Sequence, residues 1–166
     1  MNIKTCALVA LGVGLLTATA FGPKRLVLVW NRSASVPVGL YIVMSRPVHI
    51  GDYVLIRLSG TMQVLAERRG YIGAHTPVLK RVTAMEGDRV CRSGRAAWIA
   101  ERQVVIALGT DRAGKPLPVW QGCHQLQDGQ LFVLGTHSQS FDSRYFGPVD
   151  RYQVIGMATP LLLLGP

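Results

Sequence analysis

From Thr5 to Pro23 the chain runs through 19 residues without a charged side chain, between Lys4 on one side and Lys24-Arg25 on the other. As a helix rising about 1.5 Å per residue, this stretch is roughly 28 Å long and reaches across a hydrocarbon core of about 30 Å. It sets the layout: residues 1–25 are a membrane anchor or signal segment, and residues 26–166 must build the folded body. Ala18-Thr19-Ala20 has the small-x-small pattern of a cleavage site, so both readings of the segment stand. Flanking charge hardly sets its direction. Lys4 and the α-amine face Lys24, Arg25 and Arg32, a close balance that leans slightly against export. Cys91 and Cys123 lean the other way if they pair, because a disulfide needs an oxidising compartment; two buried thiols are the other reading. We expect an anchored, exported domain.

Without Lys4, Lys24 and Arg25 the body keeps 15 basic and 9 acidic residues, a net charge of +6. Charged residues are 16% of the chain, against a usual value of about 25%, which argues against disorder and coiled coil. The basic residues are scattered without interleaved aromatics, so a surface near anionic lipid fits at least as well as nucleic acid. Cys6, Cys91 and Cys123 form no C-x-x-C and meet no paired histidines, so no metal site is expected. Nine prolines and eighteen glycines fall in short bursts, which favours a mainly β body. Strands are expected at Leu40–Met44, Tyr53–Leu58, Val78–Ala84, Val104–Ala107 and Leu131–Leu134. One short helix is expected at Gln63–Arg69, closed by Gly70. Met157–Leu164 is too short to span a bilayer and reads as a final strand or a membrane-facing patch.

Three segments concentrate reactive side chains. The first, Asn31-Arg32-Ser33-Ala34-Ser35-Val36-Pro37-Val38-Gly39-Leu40-Tyr41, sets two serines on a turn constrained by Pro37 and Gly39. An ordinary serine-containing linker would look the same. The second, Val78-Leu79-Lys80-Arg81-Val82, puts cations inside a β-like apolar run. Only four of the 18 basic residues are lysine, so a lysine here stands out. Strand alternation sends Lys80 and Arg81 to opposite faces, and one of them inward. A buried Lys escapes desolvation by giving up its proton, its pKa falling by up to about 3–5 units; Arg cannot. The neutral amine can then act as general base for a serine hydroxyl. A solvent-exposed edge-strand lysine is the plainer alternative. The third segment, Gly135 to Gly147, crowds hydroxyls, Asp142, Arg144 and three aromatics into one loop, a density found at functional sites. An Asp142–Arg144 pair holding a solvated turn accounts for it equally well. His137 would permit a Ser-His-Asp triad, but no G-x-S-x-G sequence accompanies it. His49, His75 and His124 read as loop residues, and Arg112–Pro118 as a surface excursion.

Together these segments resemble the signal peptidase I clan of serine proteases, most closely its TraF-type branch of conjugative-transfer signal peptidases. The first segment matches N-x-(T/S)-x-S-x-P-x-G-x-Y at each fixed position. Ile50-Gly51-Asp52-Tyr53-Val54 is similar to the clan's G-D-x-V strand. Leu79-Lys80-Arg81-Val82 with Glu86-Gly87-Asp88 is similar to K-R-V-x-x-x-x-G-D. Ser140-Phe141-Asp142-Ser143-Arg144-Tyr145-Phe146-Gly147 resembles S-x-D-S-R-Y-(W/F)-G. Thr136 to Gln139 departs from the Asp/Asn-rich start of that box in housekeeping signal peptidases. Ser35 stands two residues before Pro37 where those enzymes have three, and the chain lacks room for their large second domain. These departures point to the TraF-type branch.

The resemblance implies a mainly β, signal-peptidase-like domain over residues 26–166 that acts as a serine endopeptidase. Carried over by residue, Ser35 is the nucleophile and Lys80 the general base. Ser33 and the Ser35 backbone N–H form the oxyanion hole, Ser140 orients Lys80, and Asp142 with Arg144 supports the base side, as third catalytic member or structural pair. No metal or organic cofactor is implied. The implied location is the bacterial inner membrane with the catalytic domain in the periplasm. The implied substrate is an exported precursor such as a pilin, cut beside small residues, with no nucleic-acid partner. The rivals are a housekeeping signal peptidase, a LexA-like self-cleaving protease (for which no DNA-binding domain is visible), and a non-catalytic anchored pilus-assembly scaffold.

Overall fold

The computed structural model describes residues 27–100 and 103–164, so the anchor or signal reading of residues 1–25 lies outside the described residues. Among the described residues no helix is long and apolar enough to cross a membrane. The chain folds mainly as β-structure: β1 (Val27–Asn31), β2 (Gly39–Met44), β3 (Tyr53–Ile56), β4 (Val78–Ala84), β5 (Arg89–Ser93), β6 (Ala96–Ile99), β7 (Gln103–Ile106), β8 (Gly122–Gln125), β9 (Phe132–Leu134) and β10 (Val154–Leu163). Two short helices, α1 (Gly60–Arg68) and α2 (Ser143–Phe146), and a 3-10 turn at Arg151–Gln153 complete it.

The strands make two antiparallel sheets. The larger runs β1-β2-β10-β3-β4-β9 and the smaller β7-β6-β5-β8. Period-two alternation explains β2, whose Tyr41 and Val43 point inward while Leu40 and Ile42 are only partly covered. Tyr41 and Val43 pack with Val36, Leu55 and Leu79, and a second cluster gathers Val54, Ile56, Val82 and Val133. Each such side chain, fully buried, contributes about 1.5–3 kcal/mol. Val90 and Ile99 of the smaller sheet pack with Phe132 and Leu134 of the larger, joining the two.

Gly39 opens β2 at φ 157°, and a Cβ there would stand 2.9 Å from Leu163 Cα, so only glycine lets β10 pass this close. Met157–Leu164 belongs to the final strand and its end; Leu161 to Leu164 are exposed, as are Leu28 and Trp30 on β1. The register Trp30↔Leu40↔Leu162 puts these three apolar residues in one row across three strands.

Several expectations need correction. The smaller sheet was not expected beyond β7, and β5, β6 and β8 lie where the sequence reads as loops. His124 lies on β8, not in a loop. The helix starts three residues earlier than expected, at Gly60 after Ser59. The Cys91–Cys123 disulfide, one of the two readings of these cysteines, is by contrast present: the two are directly opposed on β5 and β8 and joined.

Candidate active site

The turn between β1 and β2 is held by one side chain. Asn31 is buried, and its Nδ2 donates to the carbonyls of Ser33 (2.9 Å), Val36 (3.1 Å) and Pro37 (3.0 Å), while its Oδ1 accepts from Ser33 N and Ser33 Oγ, both at 3.2 Å. Tyr41, wholly buried, adds a hydrogen bond from its hydroxyl to Pro37 O at 2.7 Å. This fixed turn holds Ser33 Oγ and Ser35 Oγ 2.7 Å apart.

Lys80 lies on β4 with its side chain buried, cross-strand from Val54 and on the same face as Val82; Arg81 points outward and donates to Gly51 O. Alternation therefore selects Lys80 as the inward cation. Its Nζ donates to Ser140 Oγ at 2.7 Å, and Ser140 is buried too. Burial strips the ammonium of water and lowers the Lys80 pKa to about 8; Asp142 offsets part of that shift and Arg144 adds to it. About one-tenth of this amine is therefore neutral at pH 7, the form a general base needs.

Asp142 is fully buried and caps α2. Its Oδ1 accepts from Arg144 N (3.1 Å) and Nε (2.9 Å), and its Oδ2 from Arg144 Nη2 (2.7 Å) and Gly135 N (2.8 Å). A forked guanidinium against a carboxylate, with the remaining lone pairs filled, is the arrangement in which a buried ion pair holds together. Arg144 also donates to the carbonyls of His137 and Ser138, both at 3.0 Å, so one buried cation shapes the loop that carries Ser140. His137 turns Nδ1 to Gln139 N (3.1 Å) and makes no bond to Asp142, so no Ser-His-Asp relay forms.

The turn that carries Ser33 and Ser35 and the loop that carries Ser140 meet at Gly135 and Thr136. Thr136 N donates to Ser35 O at 2.7 Å, and its Oγ1 to Ala34 O and Ser35 O. A Cβ on Gly135 would stand 2.9 Å from Ser35 O and 2.5 Å from Ser140 Cβ, so glycine alone lets the two halves close up. The contacts pair Ser33 with Ser35, Lys80 with Ser140 and Asp142 with Arg144. Among the described residues no direct Ser35–Lys80 hydrogen bond is present. Sequence reasoning treated Thr136 only as a departure from a motif, and gave Asn31 and Gly135 no role. It also missed Arg92, buried on β5, whose guanidinium donates to Arg144 O and Gly94 O and ties the smaller sheet to α2. Among the described residues no three His, Cys, Asp or Glu side chains are grouped to hold a metal ion.

Residues 1–162 match the family model described as signal peptidase, peptidase S26. A plasmid transfer protein TraF of Escherichia coli is 33% identical over 144 residues, covering 80% of both chains. A conjugal transfer protein TraF of Agrobacterium tumefaciens is 35% identical over 170 residues, covering 95% of this chain and 93% of its own. A solved signal peptidase I of Enterococcus faecalis overlaps 69% of this chain and 99% of its own at 22% identity, with a TM-score of 0.38.

Proposed function

The chain belongs to the signal peptidase S26 family, and from that premise we propose that it is a serine endopeptidase in which Ser35 attacks and Lys80 is the base. The observation that carries the reading is the buried Lys80 amine. It is 4% exposed, held by Ser140 at 2.7 Å and depressed to a pKa of about 8, next to a turn that presents two serines. A surface lysine would stay charged at neutral pH and could not accept a proton.

In this reading Ser35 Oγ adds to the scissile carbonyl carbon as its proton passes to Lys80 Nζ. The carbonyl oxygen takes the negative charge and is stabilised by the Ser35 N–H and the Ser33 hydroxyl; an oxyanion donor is typically worth about 3–4 kcal/mol. Lys80 returns the proton to the leaving amine, leaving an acyl group on Ser35. A water, deprotonated by the same lysine, then releases the acid and restores the serine. Asp142 acts as a structural and electrostatic partner: its lone pairs are taken by Arg144 and Gly135, and its charge reaches Lys80 through space. Ser140 orients the amine.

We place residues 1–25 in the inner membrane as anchor or signal segment and residues 26–166 in the periplasm. The substrate is an exported precursor of the conjugation machinery, pilin-like, cut beside small residues. The names of the related transfer proteins support this choice. The exposed Leu28 and Trp30 on β1 and Leu162 on β10 form an apolar surface on the strands around the Ser33–Ser35 turn, which suits work at a membrane surface. The test is processing of a pilin precursor in membranes by wild type, Ser35→Ala and Lys80→Ala. Cleavage by wild type alone, with all three folded, supports the peptidase. Undiminished cleavage by either variant overturns the assignment. Intact pilus assembly with both variants would mark an anchored scaffold instead.

A further inference from the structure

The hydrogen bonds around Asn31 can be assigned a direction. Its Nδ2 faces three carbonyl oxygens, which only accept, and its Oδ1 faces the Ser33 N–H, which only donates. The amide orientation is thereby fixed, and Oδ1 can only accept from Ser33 Oγ as well. A serine hydroxyl has one proton. If Ser33 gives its proton to Asn31, the 2.7 Å contact between the two serines must be donated by Ser35. The Ser35 proton then points at Ser33 and away from any base.

We propose that Asn31 is a positioning residue that holds the Ser33 hydroxyl and so parks the Ser35 proton, making release of the nucleophile depend on the incoming carbonyl. The inference rests on the reading of Ser35 as nucleophile and Ser33 as oxyanion donor. As the substrate oxygen gains charge it outcompetes the neutral amide oxygen, and the Ser33 hydroxyl swings from Asn31 to the oxyanion. Ser33 must also re-aim its lone pairs, so the Ser35 hydroxyl loses its acceptor and turns to Lys80. No bond is made or broken beyond those of the peptidase reaction; two hydroxyl rotations accompany the addition of Ser35 to the carbonyl. The same side chain clamps the turn through its Nδ2, so a purely structural role is the competing account.

A double-mutant cycle separates the two. Single-turnover cleavage of a precursor peptide is measured for wild type, Asn31→Ala, Ser33→Ala and the double variant, with kcat and KM resolved and folding followed by circular dichroism. Ser35→Ala runs alongside. If Asn31 parks the Ser35 proton through the Ser33 hydroxyl, Asn31→Ala gives a kcat roughly 3–10-fold more favourable, with KM nearly unchanged, when made beside Ser33 than when made beside Ser33→Ala. An equal factor in both backgrounds overturns the proposal and leaves Asn31 a clamp. Asn31→Asp repeats the cycle if the Ala variant does not fold. Its carboxylate is a stronger acceptor for Ser33 and loses the donors to the turn carbonyls, so its kcat penalty must be larger beside Ser33 than beside Ser33→Ala, and an equal penalty in both overturns the proposal. Cleavage by Ser35→Ala would instead sink the underlying peptidase reading, whatever the cycle gives.

Discussion

A base whose charge is removed by burial leaves a signature in pH. Lys80 titrates at about 8, against 10.5 for a free lysine. The neutral fraction at pH 7 is then about one-tenth, against about one in three thousand for an unperturbed lysine, a gain of roughly 300-fold in usable base. The acylation rate should therefore rise tenfold per unit below pH 8 and level off above it. The perturbation is Asp142→Asn. The carboxylate holds the proton on Lys80, and Arg144 repels it. Removing the first while keeping the second lowers the Lys80 pKa further, so the rising limb moves to more acid pH. The plateau also falls, because the loop loses its anchor at Gly135 N and on the Arg144 fork. The assay is single-turnover cleavage of a fluorogenic precursor peptide across roughly pH 5.5 to 9.5, with far-UV circular dichroism to confirm folding. A wild-type limb centred above pH 10, or a shift of the Asp142→Asn limb to alkaline pH, would refute the electrostatic account.

The same burial costs stability. Between about pH 8 and 10.5 the unfolded chain carries the Lys80 proton and the folded one does not, so folding stability from this group rises with pH across that window, by about 3 kcal/mol, and the full penalty applies below it. Lys80→Met should therefore melt at higher urea than wild type at pH 7, with the gap narrowing by pH 10; equal stability at both would disprove the penalty. Gly135→Ala forces Ser35 and Ser140 apart, and we expect a loss of about 100-fold or more in kcat with about 1–3 kcal/mol of destabilisation. Near-normal turnover in that variant would mean the two halves need not touch. Reducing the Cys91–Cys123 bridge, which closes a loop of 32 residues, should cost about 3–4 kcal/mol by the chain-entropy estimate, read from the urea midpoint with and without reductant. No change on reduction would count against it.

Much of the larger sheet was legible because its strands alternate. Leu40–Met44 and Val78–Ala84 carry inward apolar residues at period two, and Lys80 stands out because it breaks that pattern from within. The smaller sheet hid for two physical reasons. On β5 the inward positions are Val90 and Arg92, and a buried guanidinium reads as surface in a sequence. On β8 all four residues are exposed, so no apolar rhythm exists to find. The site was legible as residue types but not as contacts. Thr136 lies about a hundred residues from Ala34 and Ser35, and nothing local in the sequence points to a threonine binding those carbonyls. Asn31 was visible as a motif letter; its hold on both ends of the turn required coordinates.

The strand order has a consequence for timing. β10, the last strand among the described residues, lies between β2, which follows the Ser33–Ser35 turn, and β3, the neighbour of the lysine-bearing β4. During synthesis the N-terminal strands can pair only locally, as β1 with β2 and β3 with β4, and no edge joins the two hairpins until residues 154–163 have been delivered. In a chain that stops before residue 154, no strand pairing joins the hairpin that follows Ser35 to the one that carries Lys80. β10 is thus the strand through which the larger sheet joins the Ser35 turn to the Lys80 strand, and that union waits until residues 154–163 are available.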